Sequence, residues 1–498
     1  MDIRPPTLAP ADAWKPLPAS AWDGDAARHL LRRSGFSAPP ERVAEALRTP
    51  LAEAVSRLFA SAPALPAPLS VQRLADEFRA QEGAGRPASE AERRRLRREF
   101  QDKARTAYED LGIAWLKRAA DPRHAAREKL VLFLQDIFVV AFQKVKNPVL
   151  LHAHQELLRG YATAPYPELC KHVSRSPAMI QYLDLQQSRA GRPNENFARE
   201  LFELFTLGEG NYSEDDIKEA ARAFTGYRQR GGQFVFARRQ HDTGRKTVFG
   251  RTAAFDGDGV IDLVFEQPAA ARFLPRELVR FYLTDGGLPE AHIEALADLW
   301  RRDGFHTGRL LQRFFSSRIF FEPAYRGTLI KSPVHYYLGL IQDLGLDVAP
   351  FPRLTLGALR QMGQAFFNPP NVRGWVGGRA WINSTTLAAR RQVVDRLLTP
   401  IDESKLNGDE MIELAAAHAE GAARFTIDDD TLARWRDRSG ADAMQDLIER
   451  GFGLPPPDAI RAAMAAQFAE ARDDDTRAGQ RMRALLGALL QSPHYQLC

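Results

Sequence analysis

Apolar residues recur at helical spacing along most of this chain, and the breaks in that rhythm mark its joints. Near the start, "DGDAARHLLRRSGFSAPPERVAEALRTPLAEAVSRLFA" reads as short helices separated by Gly-Phe and Pro-Pro breaks, followed by a linker, "SAPALPAP", at 61–68. Residues 70–120 carry dense Arg and Glu among apolar positions, which predicts a pair of long amphipathic helices with the Arg run on a solvated face. From 126 to 226 the pattern stays helical and turns far more apolar, as in "REKLVLFLQDIFVVAFQKV" and "NPVLLHAHQELLRGYA", so this is the expected core. Two alternating runs in "QFVFARRQHDTGRKTVFG", 233–250, predict a β-hairpin with a polar tip.

Helices resume from about 258 to 345, and "STTLAARRQVVDRLL" reads as a capped helix. Residues 402–450 suggest a peripheral helical insertion, and a last helix is expected at 476–491. The expected fold is predominantly α-helical, a large multi-helix body with one small β-hairpin near 233–250. The chain divides into 1–60, N-terminal helices packing on the body; 69–122, long charged helices; 126–400, the main core; and 401–498, a C-terminal helical region.

Within the core, "NENFARELFELFTLG" breaks the apolar monotony. Asn194 or Asn196 can cap a helix running to about Leu207, with Gly208 just past its end. Phe197, Leu201, Leu204 and Phe205 share one face, while Asn196, Glu200 and Glu203 gather beside it. Glu200 therefore sits at the margin of a buried stripe, where a carboxylate needs a partner. The following "YSEDDIKEAARAFTGY" opens with a Ser213/Asp216 capping pattern and ends at Gly226, so the two helices should fold back on each other. Arg222 is the expected partner for the carboxylates of the first helix.

Three readings of this hairpin stand. Glu200, Glu203, Arg199 and Arg222 form an ion network that fixes helix packing. Alternatively, the carboxylates, with Asn194 and Asn196, bind a divalent cation or a sugar. The third reading is a protein contact.

Two further stretches offer chemistry. His241 and Asp242 at the hairpin tip, with Arg245 and Lys246 close behind, suit a proton relay or metal ligation; ordinary turn polarity is the competing reading. "NPPNVRGWVGGRAWIN" interleaves Asn368, Asn371, Arg373, Trp375, Trp381 and Asn383 on a Gly-rich loop, a pattern that suits stacking plus polar contacts to a carbohydrate or peptide, or a plug in a helical core. His152 and His154 are two apart on an expected helix and so diverge; His172 and His335 read as satisfied core histidines.

Composition narrows the field. Only Cys170 and Cys498 occur, which excludes a disulfide framework and cysteine-based metal or haem motifs. A formal charge of +5 spread over 498 residues makes nucleic acid an unlikely partner, and no apolar run is long enough for a membrane span. The Pro-rich start has no apolar secretory core, so the chain as written is expected to be cytoplasmic. HExxH, GxSxG, Walker A and dinucleotide glycine patterns are absent.

Taken in order, "AARHLLRRSGFSAPPERV", "SRSPAMIQYLD", "PNENFARELFELFTLG", "YSEDDIKEAARAFTGY", "HDTGRKTVFG", "KSPVHYYLGLI", "GQAFFNPPNVRGWVGGRAWINSTTLAAR" and "LLQSPHYQ" resemble the bacterial family known as domain of unknown function 1800. That resemblance implies export as the usual location, and a partner similar to the sulfatase and alkaline-phosphatase superfamily. It brings no established reaction. The chain departs from it at "FLQDIFVVAF", where many members carry a Trp-His-x-His-Phe-like segment and this chain has Gln135 and Asp136.

Two functions follow as expectations. One is an enzyme of polymer or secondary metabolism. Its pocket would be built from 194–226, 241–246 and 368–383, with Glu200, Glu203, His241 and Asp242 as acid/base groups. Glu200, Glu203 and His241 would also be ligands for one divalent metal ion, and Asn194, Asn196, Arg199, Arg222, Lys246, Asn371, Arg373, Trp375 and Trp381 would contact the ligand. The other is a non-catalytic binding or scaffold protein in which the same motifs lock helices together and present a surface to a partner, by the resemblance a sulfatase- or phosphatase-like protein.

Overall fold

Two helices buried along their length form the axis of the molecule. In Ala125–Ile137 every residue except Asp136 is buried, and in Pro333–Leu344 all of them are. A helix with no polar face has to be wrapped by others, and here the wrapping is nearly the whole chain. One contiguous apolar core runs from Ala13 to Tyr495. The computed structural model describes residues 6–61, 63–83, 89–472 and 478–498. The first five residues of the Pro-rich start and Ala62 of the expected linker lie outside them.

Two of the charged side chains inside the first of these helices, Glu128 and Arg127, each find partners. The Glu128 carboxylate accepts from Arg159 Nε and Nη2 at 2.9 and 2.6 Å and from Trp115 Nε1 at 2.9 Å. Arg127 donates to the carbonyls of Phe59 and Arg159. Such pairing offsets a desolvation cost that would otherwise forbid the burial. The Gly24–Ser34 helix, capped by the Asp23 side chain on Ala26 N, lays Arg32 and Arg33 against this centre.

The long charged helices form as expected, at Leu69–Gly83 and Glu90–Ala120, with Arg93 and Arg94 exposed and paired to Glu90. Ser213 and Asp216 make a full capping box on Glu214–Ala223. Phe197 meets Phe224 at 4.9 Å between ring centres, closing the expected helical hairpin. Its first member is α-helical only over Asn196–Glu200; Leu201–Thr206 is wound as a π-helix. A second π turn, Val279–Leu283, follows the Pro268–Leu278 helix. π turns of this kind often mark functional positions.

The small β component is two hairpins: β1 Tyr227–Arg230 pairs with β2 Gln233–Phe236, and β3 Lys246–Val248 with β4 Arg251–Ala253. The two alternating runs at 233–250 therefore each pair with a neighbour in sequence, across tight turns at Gly231–Gly232 and Phe249–Gly250, and not with each other. No helix among the described residues is long and apolar enough to cross a membrane.

Candidate functional site

The residues singled out in the polar helical hairpin and the β region fall into separate knots. Arg199 pairs with Glu214 at 2.8 Å and with Glu195 at 3.4 Å. Asn194 turns on itself, its Oδ1 accepting from Asn196 N at 3.0 Å, while Asn196 is exposed. Arg222 does not reach the carboxylates of the first helix. It grips Glu219 of its own helix and Asp242, at 2.8 and 2.9 Å. Hydrogen bonding from Arg222 holds the Asp242 carboxyl below its ordinary pKa. Lys246, buried, donates to the carbonyls of Asp242 and Gly244. His241 Nδ1 donates to Thr225 O at 2.9 Å, and the ring leans on Phe236.

Glu203 belongs to another group. It accepts from Tyr212 at 2.8 Å and pairs with Arg373 at 2.6 Å, which brings the 368–383 loop against the helical hairpin. Glu200 stands half-buried beside them, its carboxyl raised by desolvation and then by Glu203. Among the described residues no three His, Cys, Asp or Glu side chains lie together as a metal site, so Glu200, Glu203 and His241 do not form the expected ligand set. The distance is built into the fold, because His241 is tied to Thr225 at the far end of the second helix. Arg222→Ala is expected to loosen the 241–246 connection at a cost of about 1 kcal/mol, as for a partly exposed ion network; urea denaturation measures it.

The tryptophans lead to a different place. Trp375, with Asn371 and Arg373, lines a cleft of about 1080 Å³ under the loop. Asp136, Glu277, Arg280, Phe281 and Asp285 line it from the body, the last four in or beside the second π turn. Tyr325 and Arg326 close the other side. The loop reaches the floor through its glycines. Gly374, at φ 84°, lies so close to Asp136 that a Cβ there would stand 2.1 Å from Oδ1. Gly378, at φ 61°, would put a Cβ 2.7 Å from Asp285 Oδ2. Only glycine permits both the left-handed backbone and this approach. Trp375 N then donates to Asp136 Oδ1 at 2.8 Å.

Burial pushes the Asp136 carboxyl up to about 7, outweighing the lowering by the Trp375 amide. Asp285 opens to solvent at the cleft, and its partial desolvation still raises its carboxyl. Glu277 is raised by burial against the opposing pull of Arg280, which it meets at 2.6 Å. A carboxyl that titrates near neutrality, facing an open cleft, is how acid/base sites are built.

Behind this floor lies an inner chamber of about 90 Å³ that shares Asp136, Arg280, Phe281, Asp285 and Trp375 with the cleft and adds Arg33, Lys129, His335 and Trp381. Lys129 Nζ donates to Gly35 O at 2.7 Å and to His335 Nδ1 at 3.2 Å, while His335 Nε2 donates to Phe36 O at 3.1 Å. That pattern fixes a neutral imidazole protonated on Nε2. Both ring nitrogens are engaged, as for a core histidine, yet His335 lines a chamber. Burial brings Lys129 down to about 7.

None of Arg33, Lys129, Asp136, Glu277, Asp285 and His335 stands out in the sequence as a site residue. Lys129 and Asp136 sit in an apolar helical run, and the others are scattered over 300 positions. One signal was present: the stretches "AARHLLRRSGF", "KSPVHYYLGLI" and "PNVRGWVGGRAW" all reach this region, as does "FLQDIFVVAF", where the chain departs from its resemblance.

No curated protein and no solved structure matches the chain. A family model does, described as a protein of unknown function (DUF1800), over residues 29–497 of 498. By that match, which takes in the whole lining of the cleft and all of the chamber's but Cys498, the chain belongs to the DUF1800 family.

Proposed function

We propose that the protein is an enzyme acting on an extended polar ligand, a carbohydrate or a peptide, held in the cleft beneath the 371–381 loop, with Asp136 exchanging the proton. The observation that carries this reading is the seating of Gly374 on Asp136 and of Gly378 on Asp285, which sets two carboxyls of different environment on the floor of one cleft. Paired carboxyls kept apart in proton affinity are the means by which one site both donates and accepts. The cleft volume, about 1080 Å³, lies just above the roughly 300–1000 Å³ typical of small-molecule pockets, which favours a ligand of several units. Phe133, Phe281 and Trp375 supply apolar wall, and Arg326, Arg373 and Arg379 supply donors around the mouth. Hydrolysis is the simplest reaction this set supports, since it needs water and one proton donor.

The test is a screen of oligosaccharides and peptides by tryptophan fluorescence, with turnover followed by mass spectrometry. The expected outcome is a ligand whose fluorescence change shrinks in Trp375→Phe and whose turnover falls about 100-fold or more in Asp136→Asn. Turnover that survives in Asp136→Asn, or binding by no member of either class, would remove this reading.

A further inference from the structure

The inner chamber has its own chemistry. Arg33 is fully buried, and its guanidinium donates to the carbonyls of Tyr282, Leu283 and Tyr325 and to Thr328 Oγ1, leaving Nε without a partner among the described residues. Trp375 Nε1, also buried, has none among them either. Lys129, buried too, is met by two carbonyls and a neutral imidazole. Among the described residues neither Lys129 nor Arg33 forms an ion pair. The acidic side chains lining the chamber, Asp136 and Asp285, lie on the wall it shares with the cleft; Asp285 favours the charged form of Arg33, and Cys498 on the far wall that of both cations. Ser332, the cap of the twelve-residue Pro333–Leu344 helix, lines the same space, so the positive end of that helix dipole adds to the two cations.

A buried cation without an ion pair is expensive, and two of them beside the spare donors Arg33 Nε and Trp375 Nε1 favour added negative charge in this space. We infer that the chamber is an oxyanion subsite that takes a carboxylate or phosphate group of the ligand whose body fills the outer cleft. About 90 Å³ admits such a group and little more. Lys129 and Arg33 supply the charge, with Trp375 Nε1 as a further donor. The inference rests on the cleft being the binding site and adds the charge class of what it binds.

Isothermal titration of the full chain with inorganic phosphate and, separately, acetate tests it, at ionic strength held constant with sodium chloride. Saturable binding of at least one probe is expected, and the tighter of the two identifies the group. Lys129→Met should weaken that binding about tenfold or more, the loss of one buried positive charge beside the anion. Asp285→Asn is solvent-facing, so its folding is not at stake, and it should tighten binding about threefold by removing a repelling charge. Arg222→Ala, remote from the chamber, should bind as the native chain does. Absence of saturable binding by either probe, or binding that ignores Asp285→Asn, would overturn the inference. A neutral ligand that still occupies the cleft in that case would leave the proposed function standing, and phosphate binding without turnover of any ligand would do the reverse.

Discussion

Replacing Gly374 with alanine is expected to cost roughly 2–5 kcal/mol of stability and to unseat the loop that roofs the cleft. Two costs combine at this position. The backbone is left-handed at φ 84°, which an L side chain adopts at a penalty of roughly 1–2 kcal/mol. The new Cβ would also stand 2.1 Å from Asp136 Oδ1 and 2.6 Å from Asp136 O. The second is backbone, and the first is held by the Trp375 amide in a helix that is otherwise buried, so neither swings away freely. Relief therefore comes from moving the loop, which breaks the hydrogen bond from Trp375 N to Asp136. Gly250→Ala provides the comparison: φ is 75° there, with nothing within 4 Å of the new carbon, so only the backbone penalty applies. Urea denaturation of both variants separates the two contributions. Equal losses would mean that the loop does not press on Asp136.

Asp136→Asn is expected to do two opposite things, abolish turnover and raise stability at alkaline pH. The folded carboxyl titrates near 7, against an ordinary value of 3.8, because burial penalises its charge. Below that ordinary value both folded and unfolded chains carry the proton, so the residue leaves stability unchanged. Between 3.8 and 7 the unfolded chain ionises while the folded one does not, and stability declines as pH rises. Above 7 the penalty is complete, with an upper bound of about 4 kcal/mol. The asparagine carries no such penalty and keeps an oxygen to accept from Trp375 N. Its melting temperature should thus match the native value at pH 4 and exceed it at pH 8. A native chain more stable than the variant at pH 8 would show that Asp136 is stabilised as a carboxylate. A gain in stability on removing a site residue is the usual sign that the fold tolerates it for function.

How much of this is legible in the sequence differs by level. The helical body follows from apolar spacing, and the Ser213/Asp216 cap is a local pattern that forms as read; "STTLAARRQVVDRLL" is the capped helix expected, its cap being Asn383 of the preceding loop. Tertiary structure overrides local pattern in two places. Leu201–Thr206 is wound as a π-helix, which no residue preference announces. The alternating runs at 233–250 find partners outside that window, because two-residue turns at Gly231–Gly232 and Phe249–Gly250 close faster than the longer tip. In the candidate site, the loop with Trp375 and Trp381 is legible because tryptophan, asparagine and glycine are conspicuous together. Its floor is not. Asp136 and Lys129 lie in a segment whose periodicity says only that it is buried, and burial is what gives both groups their unusual proton affinities. The polar residues of 194–226 and 241–246 are conspicuous for a different reason: most are partners of one another in helix packing, as Arg199 is for Glu214 and Arg222 for Asp242.

The central claim is the location of the site, and hydrogen–deuterium exchange with the best ligand from the screen tests it directly. Protection confined to 371–381, 277–285 and the end of the Ala125–Ile137 helix is the expected result. Protection that falls on 194–226 and 241–246, with the loop unchanged, would contradict it and return the site to the polar helical hairpin.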